Sequence, residues 1–326
     1  MRPLRGAAAK VGQYALVVWV AATVNFALPH LAPGDPVTYF YIGPLQGLSE
    51  EQAAQIRASY GLDRSIPEQY AAFWAGLLHG DLGISVQHNR PVTDVILERL
   101  PWTVALVGLG IAVAATLGIL LAAWAAWRRG SRVDRVTVGG VLALDSMPGF
   151  WIGMILVAVF AVQLGLLPSY GGAPISGDGP GWYLDVGSRL VLPVATLALA
   201  MLGEFFLLAR GSMVAALDEP FVRLARAKGL AERRVALHHV LRNALLPVYT
   251  NVTLALGALL SGAVVVEAVF AYPGLGQLIH EAVTARDYPV LQGVLLIVTV
   301  GVVAANLLAD LTYPLLDPRV RRAVTA

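Results

Sequence analysis

Cysteine is absent from the 326 residues, which removes disulfides, thiolate metal sites and a cysteine nucleophile together. Charge is scarce as well. Asp, Glu, Lys and Arg make up 13% of the chain, and a soluble domain of this length carries roughly twice that fraction. Lysine occurs only at Lys10 and Lys228, each preceded by alanine, so the Gly-Lys-Ser/Thr of a phosphate-binding loop has nowhere to form. If ATP drives this protein, another chain binds it. The short alternating segments of a membrane β-barrel are missing too. Neither an internal repeat nor a low-complexity tract is apparent.

What remains is 57% hydrophobic, with a mean hydropathy of +0.68. The apolar residues gather into blocks of about twenty, long enough to cross a bilayer as helices. The blocks predict six spans, at about Gly12–Leu31, Trp102–Trp127, Val136–Leu164, Leu190–Leu208, Val248–Phe270 and Val290–Tyr313. The first follows Arg2, Arg5 and Lys10 as a secretory signal would. Its apolar core is longer than a signal's and lacks a small-residue cleavage site, so it reads as a retained helix. The fold class is an all-α polytopic membrane protein, one transmembrane domain over residues 1–326.

Charge asymmetry orients it. With the N-terminus inside, inner segments hold 17 of the 23 basic residues. Four of the remaining six lie in a long outer loop of about 32–101, and long loops translocate largely regardless of charge. Both termini are therefore expected in the cytoplasm. The outer loop reads as a small helical cap: Ser49-Glu50-Glu51-Gln52 opens a helix reaching about Tyr60, and a second runs over about Pro67–Leu78. Tyr70, Phe73 and Trp74 suit a membrane interface.

The inner loop of about 209–247 carries the most local information. Asp218 reads as a helix N-cap followed by Glu219 and Pro220, and Gly229 as the left-handed residue that closes the helix. A second helix should run over about Glu232–Leu245, before Pro247. Phe221, Leu224, Ala225 and Lys228 fall at helical spacing on one face, as in a short helix that docks into a groove on a partner. A solvated basic loop explains the arginines alone; the cap, the glycine and the stripe favour docking.

Several acids sit in or beside apolar blocks. Asp145 either reaches cytoplasmic water or faces a cavity. Glu204, six residues before Arg210 and out of ideal pairing register with it, reads as facing a translocation pathway or a partner. Glu267 is expected to bond the backbone of the Tyr272–Gly276 turn in preference to binding substrate. That turn, with Tyr272, Pro273, Gly274, Arg286 and Asp287, is expected at the outer mouth. His238 and His239 are adjacent and point apart on a helix. His30, His79, His88 and His280 show no ligand spacing, so no metal site is expected.

The stretch RLARAKGL followed by HVLRNALLP resembles the cytoplasmic loop of permeases in binding-protein-dependent ABC importers. That motif has a Glu-Ala-Ala triplet, a glycine four residues later and a downstream Leu-Pro. Here Arg223, Leu224 and Ala225 take the triplet, Gly229 the glycine and Leu246-Pro247 the Leu-Pro. Arg223 in place of glutamate and the longer run to Pro247 resemble the oligopeptide, dipeptide and nickel branch. Segments along the chain resemble it as well: APGDP at 32–36, HGDLGIS at 79–85, SMPGFWIGMI at 146–155, EAVFAYPGLGQL at 267–278 and RDYPVLQG at 286–293.

The resemblance implies a type I importer permease in a bacterial or archaeal cytoplasmic membrane, paired with a second homologous permease, most simply as a heterodimer. Two ATPase subunits would hold ATP and Mg2+, and an extracytoplasmic substrate-binding protein would deliver peptide or a related small solute. This chain would bind no cofactor and no nucleic acid. By the same resemblance Phe221, Arg223, Leu224, Ala225, Arg226, Lys228, Gly229 and Leu230 are the candidates for ATPase coupling, and the role is mechanical. Two other classes make different demands. A membrane-embedded enzyme needs a nucleophile–base pair within the spans, which Ser146 and Ser261 lack. A secondary transporter has no use for the 218–247 docking helix.

Overall fold

The computed structural model describes residues 2–31, 63–171, 179–242 and 263–316, with scattered residues between 51 and 58 and between 244 and 255. All the elements named among them are helical: α1 (Arg2–Leu31), α2 (Ile66–Leu78), α3 (Val92–Trp127), α4 (Arg132–Asp145), α5 (Gly149–Leu156), α6 (Pro180–Leu217), α7 (Pro220–Ala227), α8 (Glu232–Arg234), α9 (Val264–Val269), α10 (Leu275–Ala285) and α11 (Tyr288–Leu316). Two π-helical turns, Val157–Gln163 and Val235–Leu241, continue α5 and α8. Among the described residues, three helices are long and apolar enough to cross a membrane: Val92–Trp127, Pro180–Leu217 and Tyr288–Leu308. A bent pair, Arg132–Asp145 with Gly149–Gln163, makes a fourth if it counts as one span.

That pair corrects an expectation. The block over Val136–Leu164 suggested one continuous helix, and the chain instead turns through 99° between Asp145 and Gly149. Pro148 supplies the reason. It has no N–H for the ladder, and its ring disfavours helical backbone at the residue before it. The next helix starts afresh with Trp151 N–H donating to the Pro148 carbonyl at 2.9 Å. The long helices also overrun their apolar blocks. At 36 residues α3 spans about 54 Å, against a hydrocarbon core of about 30 Å. Its extra length is the polar stretch 92–101, expected to belong to the outer loop.

Contacts divide the chain into two units, each described by itself. The first comprises residues 1–103 and 273–303. Here α2 begins at Ser65, whose N–H (3.0 Å) and hydroxyl (2.8 Å) both donate to the Glu68 carboxylate. The Ser65 hydroxyl, then its backbone N–H, hold the Glu68 carboxyl below its usual range. Phe26 of α1 meets Tyr70 and Phe73 of α2 at centroid distances of 5.2 and 5.5 Å, and Thr23 bonds the Tyr70 hydroxyl at 2.8 Å. The aromatic stripe expected at an interface therefore packs on α1. The expected helix at 49–60 falls largely outside the described residues. Val92, Val95, Ile96, Leu275, Leu278, Val290 and Val294 form the buried core of this unit.

The second unit comprises 104–272 and 304–326. Its centre is α6, with Leu197, Leu202, Phe205, Phe206 and Met213 buried. Against it α3 passes so closely that a Cβ on Gly118 would stand 3.0 Å from the Phe206 backbone nitrogen. Only glycine allows that approach. At the end expected in the cytoplasm, the Arg210 guanidinium of α6 grips Asp134 of α4 with two bonds of 2.8 Å each. Asp134 is 4% exposed and accepts a third bond from Gly130 N–H at 3.0 Å. Spacing along the chain had considered Arg210 only as a poor partner for Glu204. The structure gives it Asp134, 76 residues away.

Candidate functional site

The loop after α6 shows how little sequence a sharp helical knuckle needs. Pro220 forces the preceding residue into extended backbone, so Glu219, at φ −71° and ψ 147°, is the N-cap, and the expected cap Asp218 sits one place too early. Proline then takes the first helical position, where its missing N–H costs nothing. Nine residues later the helix closes on Gly229 at φ +73°. Gly229 N–H donates to the Arg226 carbonyl (2.9 Å) and Leu230 N–H to the Ala225 carbonyl (3.3 Å), the paired bonds of a Schellman closure.

Burial rotates the expected docking face. Val222 is fully buried and Ala225 is 4% exposed, so these two, three positions apart, seat α7 on its own chain. Leu224 is 57% exposed, Phe221 is half-buried, and Arg223, Arg226, Lys228 and Gly229 are exposed. Ala225 thus anchors the helix from within, and the surface on offer is Leu224 with its basic neighbours. Val222 drew no notice in the sequence because an extra valine beside an apolar stripe carries no distinct signal.

Ionic contacts fasten the same knuckle. Arg129, in the turn after α3, bonds Asp218 at 2.9 Å, and Arg223 reaches the Asp218 carbonyl at 3.3 Å. Arg226 bonds Glu232 at 3.0 and 3.3 Å, with its guanidinium 6.0 Å from the Trp127 ring. Each of these exposed pairs is worth about 0–1 kcal/mol. Their effect is to fix where α7 points. Beyond Glu232 the expected helix to Leu245 begins as one α-turn and passes into the π-turn over Val235–Leu241.

Asp145 closes α4, and its carboxylate lies against the Gly203 backbone. Glu204 is the next residue on α6, so the fold places the two candidate acids beside one α4–α6 contact, both exposed in the isolated chain. The expected mouth residues divide between the two units. In the second, Glu267 and Tyr272 are buried, and Tyr272 N–H bonds the main-chain carbonyl of Glu267 at 2.8 Å. Burial, with the Glu267 charge adding to it, pushes the Tyr272 phenol up.

In the first unit, Pro273, Gly274 and Asp287 are buried and Arg286 is exposed at φ +56°. Asp287 is a hub. It accepts from Ser85 Oγ (2.6 Å), Gln87 N–H (3.0 Å) and Val290 N–H (3.3 Å), stapling residues 85–87 to the turn that opens α11. No group of His, Cys, Asp and Glu suited to a metal ion occurs among the described residues.

Residues 116–322 match the model of the family described as "binding-protein-dependent transport system inner membrane component", and residues 8–107 match that of its N-terminal region. This chain belongs to that family. The dipeptide transport system permease protein DppB of Escherichia coli K12 is 38% identical over 317 residues, covering 91% of this chain and 93% of that protein. Two solved structures share the fold. One is the inward-facing MetNI methionine ABC transporter, at a TM-score of 0.57 and 15% identity, covering 68% of this chain and 96% of that one. The other is an amino acid ABC transporter with histidines, at 0.51 and 16%, covering 68% and 94%.

Two motifs of this permease that seemed separate in the sequence are one structure. HGDLGIS and RDYP meet through Ser85 and Asp287. Similarly, Thr103 Oγ1 accepts from Leu275 N–H at 2.8 Å, so Thr103 caps α10, which starts within PGLG. Neither Ser85 nor Thr103 was singled out from sequence, since a hydroxyl acting 172 or 202 residues away leaves no local pattern.

Replacing Asp287 by Ala is expected to strand the buried Ser85 Oγ and Val290 N–H, at about 1–3 kcal/mol for each, and to release Gln87 N–H to water. Limited proteolysis of the purified permease should then cut within 80–91, where the parent resists. Identical digestion patterns would remove the staple from the account.

Proposed function

We propose that this permease forms the membrane pathway of an ATP-driven importer for peptides or related small solutes. The observation that carries this reading is the 38% identity to a dipeptide permease across 91% of the chain. In this reading the chain crosses the membrane six times with both termini in the cytoplasm, and pairs with a second homologous permease. Residues 32–101 form an extracytoplasmic cap, and a substrate-binding protein delivers solute to the mouth, where Arg286 is exposed. Asp145 and Glu204 face the pathway and meet the positive ends of solutes.

Two ATPase subunits carry ATP and Mg2+ and dock on the 218–247 loop, in keeping with the lack of a phosphate loop in this chain. The design of α7 suits mechanical coupling. Val222 and Ala225 root it, Arg129–Asp218 and Arg226–Glu232 brace it, and Leu224, Arg223 and Lys228 remain outward for a groove with an acidic rim. The test is reconstitution. The permease is coexpressed with its neighbouring permease, ATPase and binding-protein genes, purified, and placed in proteoliposomes with labelled dipeptides. Uptake that needs both internal ATP and the binding protein is expected. Uptake that persists with a catalytically dead ATPase would overturn the reading.

A further inference from the structure

The first unit contains two adjoining hollows that the transport reading does not use. One, of about 250 Å³, is bordered by Asn25, Phe73, Leu77, Asp81, Gln292 and Leu296, among others. It is smaller than the roughly 300 Å³ at which sites for drug-sized ligands begin. The other, of about 280 Å³, is bordered by Ala21, Val24, Asn25, Leu295, Leu296 and Thr299. Asn25 and Leu296 border both, so the two lie side by side.

Their chemistry differs from end to end. The first is bordered by one acid, Asp81, and by no basic residue; the second has no charge at all. Between them stands Asn25, 5% exposed, with its amide orientation fixed. Its Nδ2 donates to the Gln292 carbonyl at 2.7 Å, and Gln292 Nε2 donates back to the Asn25 carbonyl at 2.9 Å. The Asn25 Oδ1 is left buried without a donor. A buried acceptor and a carboxylate bordering one hollow ask for a group rich in N–H donors and positive charge.

The geometry along the helices supplies the other half of the ligand. From Gln292 to Thr299 is seven residues, about 10 Å along α11. The polar hollow therefore lies at the loop end, and the apolar one runs inward between α1 and α11. There Val17, Val20 and Val24 are exposed on α1 and Val300 on α11, an apolar surface suited to a lipid chain.

We propose that this paired hollow binds a phospholipid with a primary-ammonium headgroup, with the ammonium donating to Asn25 Oδ1 and facing Asp81. One acyl chain lies in the groove between α1 and α11. A choline headgroup carries positive charge but no N–H, and a glycerol headgroup brings a net negative lipid toward Asp81. Both bind worse.

The full chain, purified with its partner subunits, is placed in nanodiscs of equal phosphatidylethanolamine, phosphatidylcholine and phosphatidylglycerol. Lipid retained after detergent extraction is then counted by mass spectrometry. The parent is expected to retain phosphatidylethanolamine about fivefold over either competitor. Asp81→Asn keeps the oxygen that accepts from Gly83 N–H (2.8 Å) and should lose the preference; so should Asn25→Leu. Equal retention of the three lipids, or an unchanged preference in Asp81→Asn, would overturn the site. Displacement of the lipid by soluble phosphoethanolamine would overturn the lipid as its occupant. All of these readouts are independent of uptake.

Discussion

Gly229→Val is expected to lower ATP-dependent uptake by at least about tenfold while leaving the protein inserted and able to assemble. A non-glycine residue in the left-handed region costs roughly 1–2 kcal/mol, and a β-branched one more. Gly229 sits there at φ +73°, with nothing within 4 Å of the position a Cβ would take. The substitution therefore strains only the backbone. The chain can relieve it by opening the Schellman bonds to Arg226 and Ala225, which turns the outward face of α7 away from its groove. Gly229→Asn provides the control, because asparagine tolerates this region, and it should keep most activity. ATP hydrolysis and uptake are measured together in proteoliposomes. If the valine variant retains parental uptake, the closing turn is not what transmits motion.

The second large effect is expected toward the C-terminal end of α6. Arg210→Gln removes the two guanidinium bonds to Asp134 and leaves a carboxylate only 4% exposed without its counter-charge. Breaking a buried pair from one side costs about 3–5 kcal/mol. In a chain of this size that corresponds to a fall in the thermal midpoint on the order of 10 °C. Asp134→Asn combined with Arg210→Gln should recover more than half of the loss, since the charge itself is then gone. Thermal unfolding of the purified protein in detergent reads both. A single variant within about 2 °C of the parent would mean the pair is exposed to water in the assembled protein.

Length, composition and the order of apolar blocks are additive over the chain, and they were enough to make it an all-helical membrane protein. The same is true of features held by adjacent residues. Pro220 fixes its own φ and pushes Glu219 into extended backbone, and Gly229 is free to take the positive φ that closes α7, so the short helix after α6 was legible in advance. Where the reading slipped by one residue, at Asp218, the cause was equally local: proline acts on the residue just before it.

Other features need the folded chain because they join distant partners or depend on which face is covered. The 99° bend at Pro148 went unread, because the apolar block over Val136–Leu164 runs through it without interruption. Asp134 with Arg210, Ser85 with Asp287 and Thr103 with Leu275 are separated by 76, 202 and 172 residues. Helical periodicity cannot propose such pairs.

Helix α7 shows both regimes in one element. Its ends, its glycine and its place before Pro247 are sequence, because each is a backbone constraint carried by one residue. Its orientation is tertiary. An eight-residue helix with apolar groups on much of its circumference can be seated several ways, and only contact with the rest of the chain buried Val222 and Ala225 and left Leu224 outside.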